Sequence, residues 1–135
     1  MRAVLDPNVI ISALLSPSGN PAGVLRAWQQ GEFELIVSAS LLEELARALA
    51  YPKLRRRINE EDARGVVQWL TEAATVVSDP STGPPVHSAD PGDDYLIALA
   101  AARQAILVSG DRDLLDLGDE IPVFSLAAFL EQFAE

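Results

Sequence analysis

The sequence predicts an α/β domain: a central, mostly parallel sheet of five strands with helices on both faces. Three observations carry that reading. Short apolar runs rich in β-branched residues alternate with longer segments of helical period. The helical segments open on capping residues and close on glycine or proline. No linker, repeat or low-complexity tract interrupts the alternation, so residues 1–135 are read as one domain, long enough to bury a substantial core. Strands that alternate with helices in this way imply right-handed βαβ crossovers.

Each element has its own signal. Residues 3–6 form an apolar run ending in Asp6, the first strand, and residues 9–15 form a helix that stops before "SPSGN". "NPAGVLRAWQQG" carries a full helix signature, with Asn20 as N-cap, Pro21 at the first helical position and Gly31 just past the end. "FELIVS" is the second strand. In "SLLEELARALAYP", Ser40 and Glu43 have the spacing of a capping box and Pro52 marks the stop. Asn59 and Asp62 suit the start of a helix through "NEEDARGVVQWLTEAA", and "TVVS" is the third strand. A proline- and glycine-rich loop, "DPSTGPPVHSADPG", precedes the helix "DDYLIALAAARQ". "AILVS" and "IPVFS" are the last two strands, and "SLAAFLEQFA" is a closing helix capped by Ser125.

Composition narrows the chemistry. There is no cysteine, which excludes disulfides, thiolate metal sites and a cysteine nucleophile. A single histidine, His87, leaves little room for histidine-based acid–base catalysis. No apolar run has the length of a membrane span, and Asp6, Pro7 and Asn8 break any signal-peptide core, so a cytoplasmic protein without membrane contact is expected. The net charge is −10, from 20 acidic and 10 basic residues. That surplus weakens long-range attraction to nucleic acid and favours a basic partner or divalent cations.

Ligands of parallel α/β sheets sit beyond the carboxyl ends of the strands, where strand order reverses. Asp6, Glu44, Asp93, Asp94, Asp111 and Asp113 all map to that edge. Some have ordinary explanations. Glu43 closes the capping box with Ser40, and Asp90 and Asp93 flank Pro91 as capping acids should. Asp94 shares a helical stripe with Ile97, Ala98 and Ala101, an unusual place for a charge. Asp6, Glu44, Asp94 and Asp111 are left without a structural role. Carboxylates without histidine or cysteine select hard cations, Mg²⁺ or Mn²⁺. Two such ions ~3.5–4 Å apart can clamp the attacking and leaving oxygens of an in-line phosphoryl displacement.

"VLDPNVIISALL", "IVSASLLEELARAL", "DPGDDYLIALA" and "LVSGDRDLL", in that order, resemble the PIN-domain family, and within it the VapC-type toxins of toxin–antitoxin systems. The resemblance implies a Mg²⁺- or Mn²⁺-dependent endoribonuclease acting on single-stranded RNA. It implies that Asp6, Glu44, Asp94 and Asp111 form the acidic quartet, with Asp113 an auxiliary ligand. Asn8, Ser38 and Ser109 match supporting positions, with Asp93 beside them. A small antitoxin from an adjacent gene is the implied partner, and a homodimer is compatible with the family. Two departures stand out. The family usually reads Asp-Thr-Asn where this chain has Asp6-Pro7-Asn8, and relatives often carry an arginine where His87-Ser88 stands.

The basic cluster Lys53, Arg55, Arg56 and Arg57 is either an RNA-backbone contact or the partner of Glu60, Glu61 and Asp62. Trp28 and Trp69 sit at helical spacing among apolar residues, as core or interface positions do, and His87 is read as solvated. The competing reading is a binding module, a PIN fold whose Pro7-containing site no longer cuts. Phosphoryl-signalling and phosphatase folds of the same class fit poorly: the only lysine is Lys53, the residue two after Asp6 is Asn8, and no GxxxxGK loop is present.

Overall fold

The computed structural model describes residues 1–133. Five strands, β1 (Arg2–Leu5), β2 (Glu34–Ser38), β3 (Thr75–Val77), β4 (Ile106–Val108) and β5 (Val123–Phe124), form one sheet in the order β3-β2-β1-β4-β5. All four pairings are parallel, so the sheet is parallel throughout. Ala3, Val4 and Leu5 in β1, and Leu35, Ile36 and Val37 in β2, are all buried. Successive strand residues point to opposite faces, so an unbroken buried run means that both faces are covered. Removing one such Leu or Ile from water contributes roughly 1.5–3 kcal/mol.

Eight α-helices among the described residues supply the cover: α1 (Pro7–Leu15), α2 (Asn20–Gln29), α3 (Ala39–Leu49), α4 (Pro52–Arg55), α5 (Glu60–Ala73), α6 (Asp94–Ala102), α7 (Arg112–Leu115) and α8 (Leu126–Glu131). Trp28 of α2 meets Trp69 of α5 at 5.0 Å between ring centroids. Phe33, Phe129 and Phe133 form a second aromatic cluster under α8. No helix among the described residues is long and apolar enough to cross a membrane.

Several expected caps are confirmed. Asn59 accepts from the Asp62 N–H, Ser125 from Ala128 and Asp90 from Gly92. Gly31 closes α2 with φ +79°, where its N–H bonds Trp28 O and the Glu32 N–H bonds Ala27 O. That is a Schellman closure, and it needs the left-handed conformation that glycine adopts most easily.

Other expectations are corrected. The N-cap of α2 is Gly19, with Asn20 already helical. The Ser40/Glu43 capping box does not form. Ser38 is the N-cap of α3, its Oγ accepting from Leu41, while the Ser40 N–H donates to Asp79 Oδ2. Ser38 is still extended at φ −132°, ψ 171°, so the helix starts one residue after β2. Pro52 does not stop α3, which ends at Leu49, but opens the short α4. The chain also forms α7, a single turn capped by Asp111 that was not expected. The expected closing helix reaches Ala134, which lies outside the described residues.

Candidate active site

Strand order reverses at β1, with β2 on one side and β4 on the other. The two chain ends that diverge there are the ones expected to carry function. Asp6 follows β1 directly and is 4% exposed. Its N–H extends the β1–β4 ladder to Val108 O at 3.0 Å. Pro7 takes the first position of α1, where a missing N–H removes no helix bond.

Asp6 both caps α1 and lines a cleft at the sheet edge. Oδ1 accepts the Asn8 N–H at 3.0 Å, and Oδ2 accepts from Ser109 Oγ at 2.8 Å. Ser109 Oγ in turn accepts the Asp111 N–H at 2.9 Å, and Asp111 Oδ1 accepts the Asp113 N–H at 3.0 Å. A continuous hydrogen-bonded chain thus ties the end of β1 to the end of β4. Burial pushes the Asp6 carboxyl pKa upward, the Asn8 and Ser109 hydrogen bonds oppose this, and repulsion from Asp111 and Glu44 adds to it.

The sequence reading placed Asp94 in the acidic quartet and Asp93 in capping with a supporting place beside the site; in the structure Asp93 and not Asp94 lines the cleft at the sheet edge, and neither side chain makes a helix-capping bond. Asp93 lines a cleft of about 250 Å³ together with Asp6, Asn8, Glu44, Asp90, Tyr95 and Asp111. Its carboxyl is pushed up to about 7, first by burial and then by the charges of Asp111, Asp90 and Asp6. Asp93 and Asp111 line the same cleft, and of the neighbouring charges Asp111 contributes most to that rise. Asp94 faces the preceding loop, where Oδ2 meets His87 Nδ1 at 2.7 Å and Oδ1 accepts the Ser88 N–H at 2.8 Å. These bonds, His87 first, hold the Asp94 carboxyl below its usual range. His87 is exposed, as expected, but it is paired with Asp94.

Glu44 reaches the cleft from the second turn of α3 and is ion-paired with Arg47. Ser38 supports that helix as its cap, and Asp79, which the sequence reading missed, secures the same helix start. Asp113 does not line the cleft. Nor do Lys53, Arg55, Arg56 and Arg57: Arg55 pairs with Glu60 at 3.6 Å, and Arg57 borders a separate groove of about 920 Å³ along α5. That groove is the larger hollow, but none of the carboxylates at the sheet edge line it.

Among the described residues no three carboxylate or imidazole groups are placed to hold one metal ion unaided. The donor set nevertheless suits Mg²⁺ or Mn²⁺. Every candidate ligand is a carboxylate oxygen, and Mg²⁺ characteristically takes only one or two carboxylates while keeping water and substrate phosphate oxygens. No ion pair within the described residues neutralises Asp6, Asp93 or Asp111.

A family model described as the PIN domain matches residues 2–113. The uncharacterized protein MJ1680 of Methanocaldococcus jannaschii is 32% identical over 120 residues, covering 89% of this chain and 77% of that protein. Among solved structures, VapBC2 from Rickettsia felis, bound to a DNA fragment from its promoter, is similar with a TM-score of 0.64 at 13% identity, over 93% of this chain and 98% of that one. FitAcB from Neisseria gonorrhoeae is similar with a TM-score of 0.60 at 18% identity, again over 93% and 98%. At these identities the structural likeness speaks for the fold.

Proposed function

The chain belongs to the PIN-domain family, and from that premise we propose that it is a cytoplasmic, divalent-metal-dependent endoribonuclease for single-stranded RNA and the toxin of a toxin–antitoxin pair. The observation that carries this reading is that Asp6, Asp93 and Asp111 line one cleft at the β1/β4 switch point, with no ion pair among the described residues to neutralise them. Asp6, Asp93 and Asp111, with Glu44 at the rim, would hold Mg²⁺ or Mn²⁺. Such an ion, when bound, polarises the phosphate and lowers the pKa of water enough for hydrolysis at neutral pH.

The residues of the chain supply placement. Asn8 and Ser109 fix both oxygens of Asp6, and Ser109 couples that carboxylate to the backbone of Asp111. A second hollow of about 370 Å³, bordered by Ser12, Gly110 and Leu126, shares Asp6, Asn8 and Asp111 with the cleft. The carboxylates therefore stand between two hollows, an arrangement suited to a strand lying across them. Pro7 leaves the Asp6 hydrogen bonds in place, which favours a working site over a disabled one.

Purified protein is expected to cut single-stranded RNA with Mg²⁺ or Mn²⁺ and to stop with chelator. Attack by water leaves 5′-phosphate ends, because no 2′-hydroxyl takes part. Cleavage in excess chelator, or cyclic phosphate products, would remove the two-metal argument.

The proposed partner is a small antitoxin with a basic segment. An arginine fork from that segment matches the paired carboxylates, and the net charge of −10 attracts it. Expression of the protein alone is expected to arrest growth, and co-expression of a small protein from the neighbouring gene to restore it. Equal growth in both cultures would argue against the toxin role while leaving the nuclease reading intact.

A further inference from the structure

Tyr51 is the one exposed aromatic residue among the described residues, at 57% exposure, and it joins neither the core nor either aromatic cluster. Its ring therefore adds little to packing, yet its backbone is firmly held. The Tyr51 N–H donates to Ala48 O at 3.2 Å, and the Tyr51 carbonyl accepts from Leu54 and Arg55 at 3.0 and 2.9 Å. Pro52 restricts the residue before it to extended geometry, and Tyr51 stands there at φ −61°, ψ 140°. The junction of α3 and α4 thus presents a ring to solvent from a fixed backbone.

The cations that follow it are only partly accounted for. Arg55 pairs with Glu60, whose other oxygen meets Arg64. Arg57 borders the groove that Glu61 and Asp62 also line. Lys53 and Arg56 are exposed and make no ion pair among the described residues. They are three residues apart across α4, the spacing that puts two side chains on one face. Pairing with Glu60, Glu61 and Asp62 therefore explains part of the basic cluster and leaves Lys53 and Arg56 uncompensated, in a chain of net charge −10.

The position of these residues connects them with the cleft. Glu44 and Ala48, four residues apart on α3, are that helix's share of the cleft wall. Ala48 is small, and Tyr51 follows it by one hydrogen-bonded turn, so a strand leaving the carboxylates along α3 passes over Ala48 toward Tyr51 and α4. No lysine or arginine lines the cleft itself. Binding strength for a polyanion has to come from beyond its walls. An exposed ring can stack on any base, and lysine and arginine contact phosphates without reading sequence.

We propose that Tyr51, Lys53 and Arg56 form an RNA-binding site outside the catalytic cleft, where the ring stacks on a base and the two cations meet phosphates of the strand beyond the scissile bond. This rests on the nuclease reading and adds to it a second segment of the substrate. The test is steady-state cleavage with Mg²⁺ of two RNAs: the shortest single strand that the wild type cuts, and the same sequence extended to a dodecanucleotide. The variants are Tyr51→Ala, Tyr51→Phe, Lys53→Gln and Arg56→Gln. Arg103→Gln is the control, since it removes one charge at the end of α6 remote from the cleft.

For the dodecanucleotide, KM is expected to rise about tenfold in Tyr51→Ala and to stay near wild type in Tyr51→Phe, which keeps the stacking face. Lys53→Gln and Arg56→Gln should each raise it roughly threefold and lower the slope of log KM against log salt by about 0.7. A contact made equally in ground and transition states acts on KM, so kcat should stay within about twofold. The short RNA and the Arg103→Gln control should show no change in KM. A wild-type KM for the dodecanucleotide in Tyr51→Ala and both charge variants overturns the site and leaves the nuclease reading standing. An equal rise for both RNAs also overturns it, by placing the effect in the cleft or the fold. So does a rise in Arg103→Gln that matches Lys53→Gln, because net charge alone would then explain it. Failure of the wild type to cut any single-stranded RNA overturns the nuclease reading and this inference with it.

Discussion

Replacing Asp6 by asparagine is expected to lower Mg²⁺-dependent RNA cleavage by about a thousandfold or more, several kcal/mol of lost transition-state stabilisation. Shape and helix capping survive the change. Asparagine caps about as well as aspartate, and its amide oxygen can still accept the Asn8 N–H that now bonds Oδ1. The loss is therefore one of charge at the cation site.

Stability in metal-free buffer is expected to move the other way, staying level or rising by up to about 1 kcal/mol. Burial and the neighbouring Asp111 and Glu44 charges raise the native pKa of Asp6 above its unfolded value. Ionisation at neutral pH therefore disfavours the native state, and the neutral amide removes that penalty. Ser109 limits the gain. Its Oγ already accepts from Asp111 and would have to accept a second bond from the new amide, giving up its own donation to Oδ2. Mg²⁺ should raise the Tm of the wild type more than that of the variant, by linkage. Full activity with an unchanged metal response would reduce Asp6 to a helix cap.

Much of this site was legible from element order. Asp6 and Asp111 could be placed at one edge because each follows an apolar strand, and the parallel sheet puts all strand ends together. Local choices between neighbouring residues were not legible. Ser38 and Ser40 are both serines with competent partners further on, and the choice between them depends on where β2 stops. Pairing of Ser38 with Val77 of β3 extends the strand to Ser38, a long-range fact absent from the local sequence. Asp79 and Tyr95 were missed for the same reason, since the cap that one secures and the cleft that the other lines are assembled from distant segments. Helix α7 spans four residues, too few for periodicity to register.

That Asp93 rather than Asp94 lines the cleft was hidden for a more specific reason. Leu96, Ile97, Ala98, Leu99 and Ala100 are all buried, whereas Ala101, assigned to the inward stripe, is exposed. A helix buried nearly all round has no stripe to read. A 3₁₀ turn at Pro91–Asp93 precedes the α-helix. Its three residues per turn rotate Asp93, relative to a continuous α-helix, and change which acid meets the cleft.

The different surroundings of the two adjacent aspartates make them the sharpest pair of substitutions in the molecule. Asp93→Asn is expected to lower cleavage about a thousandfold, as loss of a cation ligand should. Asp94→Asn is expected to stay within about threefold of wild type, because its amide oxygen still accepts the Ser88 N–H and only the charge facing His87 is lost. Their effects on stability should differ as well. The Asp93 carboxyl stands at about 7 in the native protein against 3.8 for the ordinary side chain. Between those values the native state holds a proton that the unfolded state has released. Stability in chelator therefore falls as pH rises from about 4 to about 7 and levels off above it. Asp93→Asn should flatten that fall and match wild type near pH 4. At pH 8 it should exceed wild type by about 1–2 kcal/mol, the full shift being discounted for the partial exposure of this carboxyl. Denaturant melts of both variants across this range, alongside cleavage assays, separate the two acids. Collapse of activity in Asp94→Asn, with Asp93→Asn unimpaired and its pH dependence unchanged, would return the third carboxylate to Asp94.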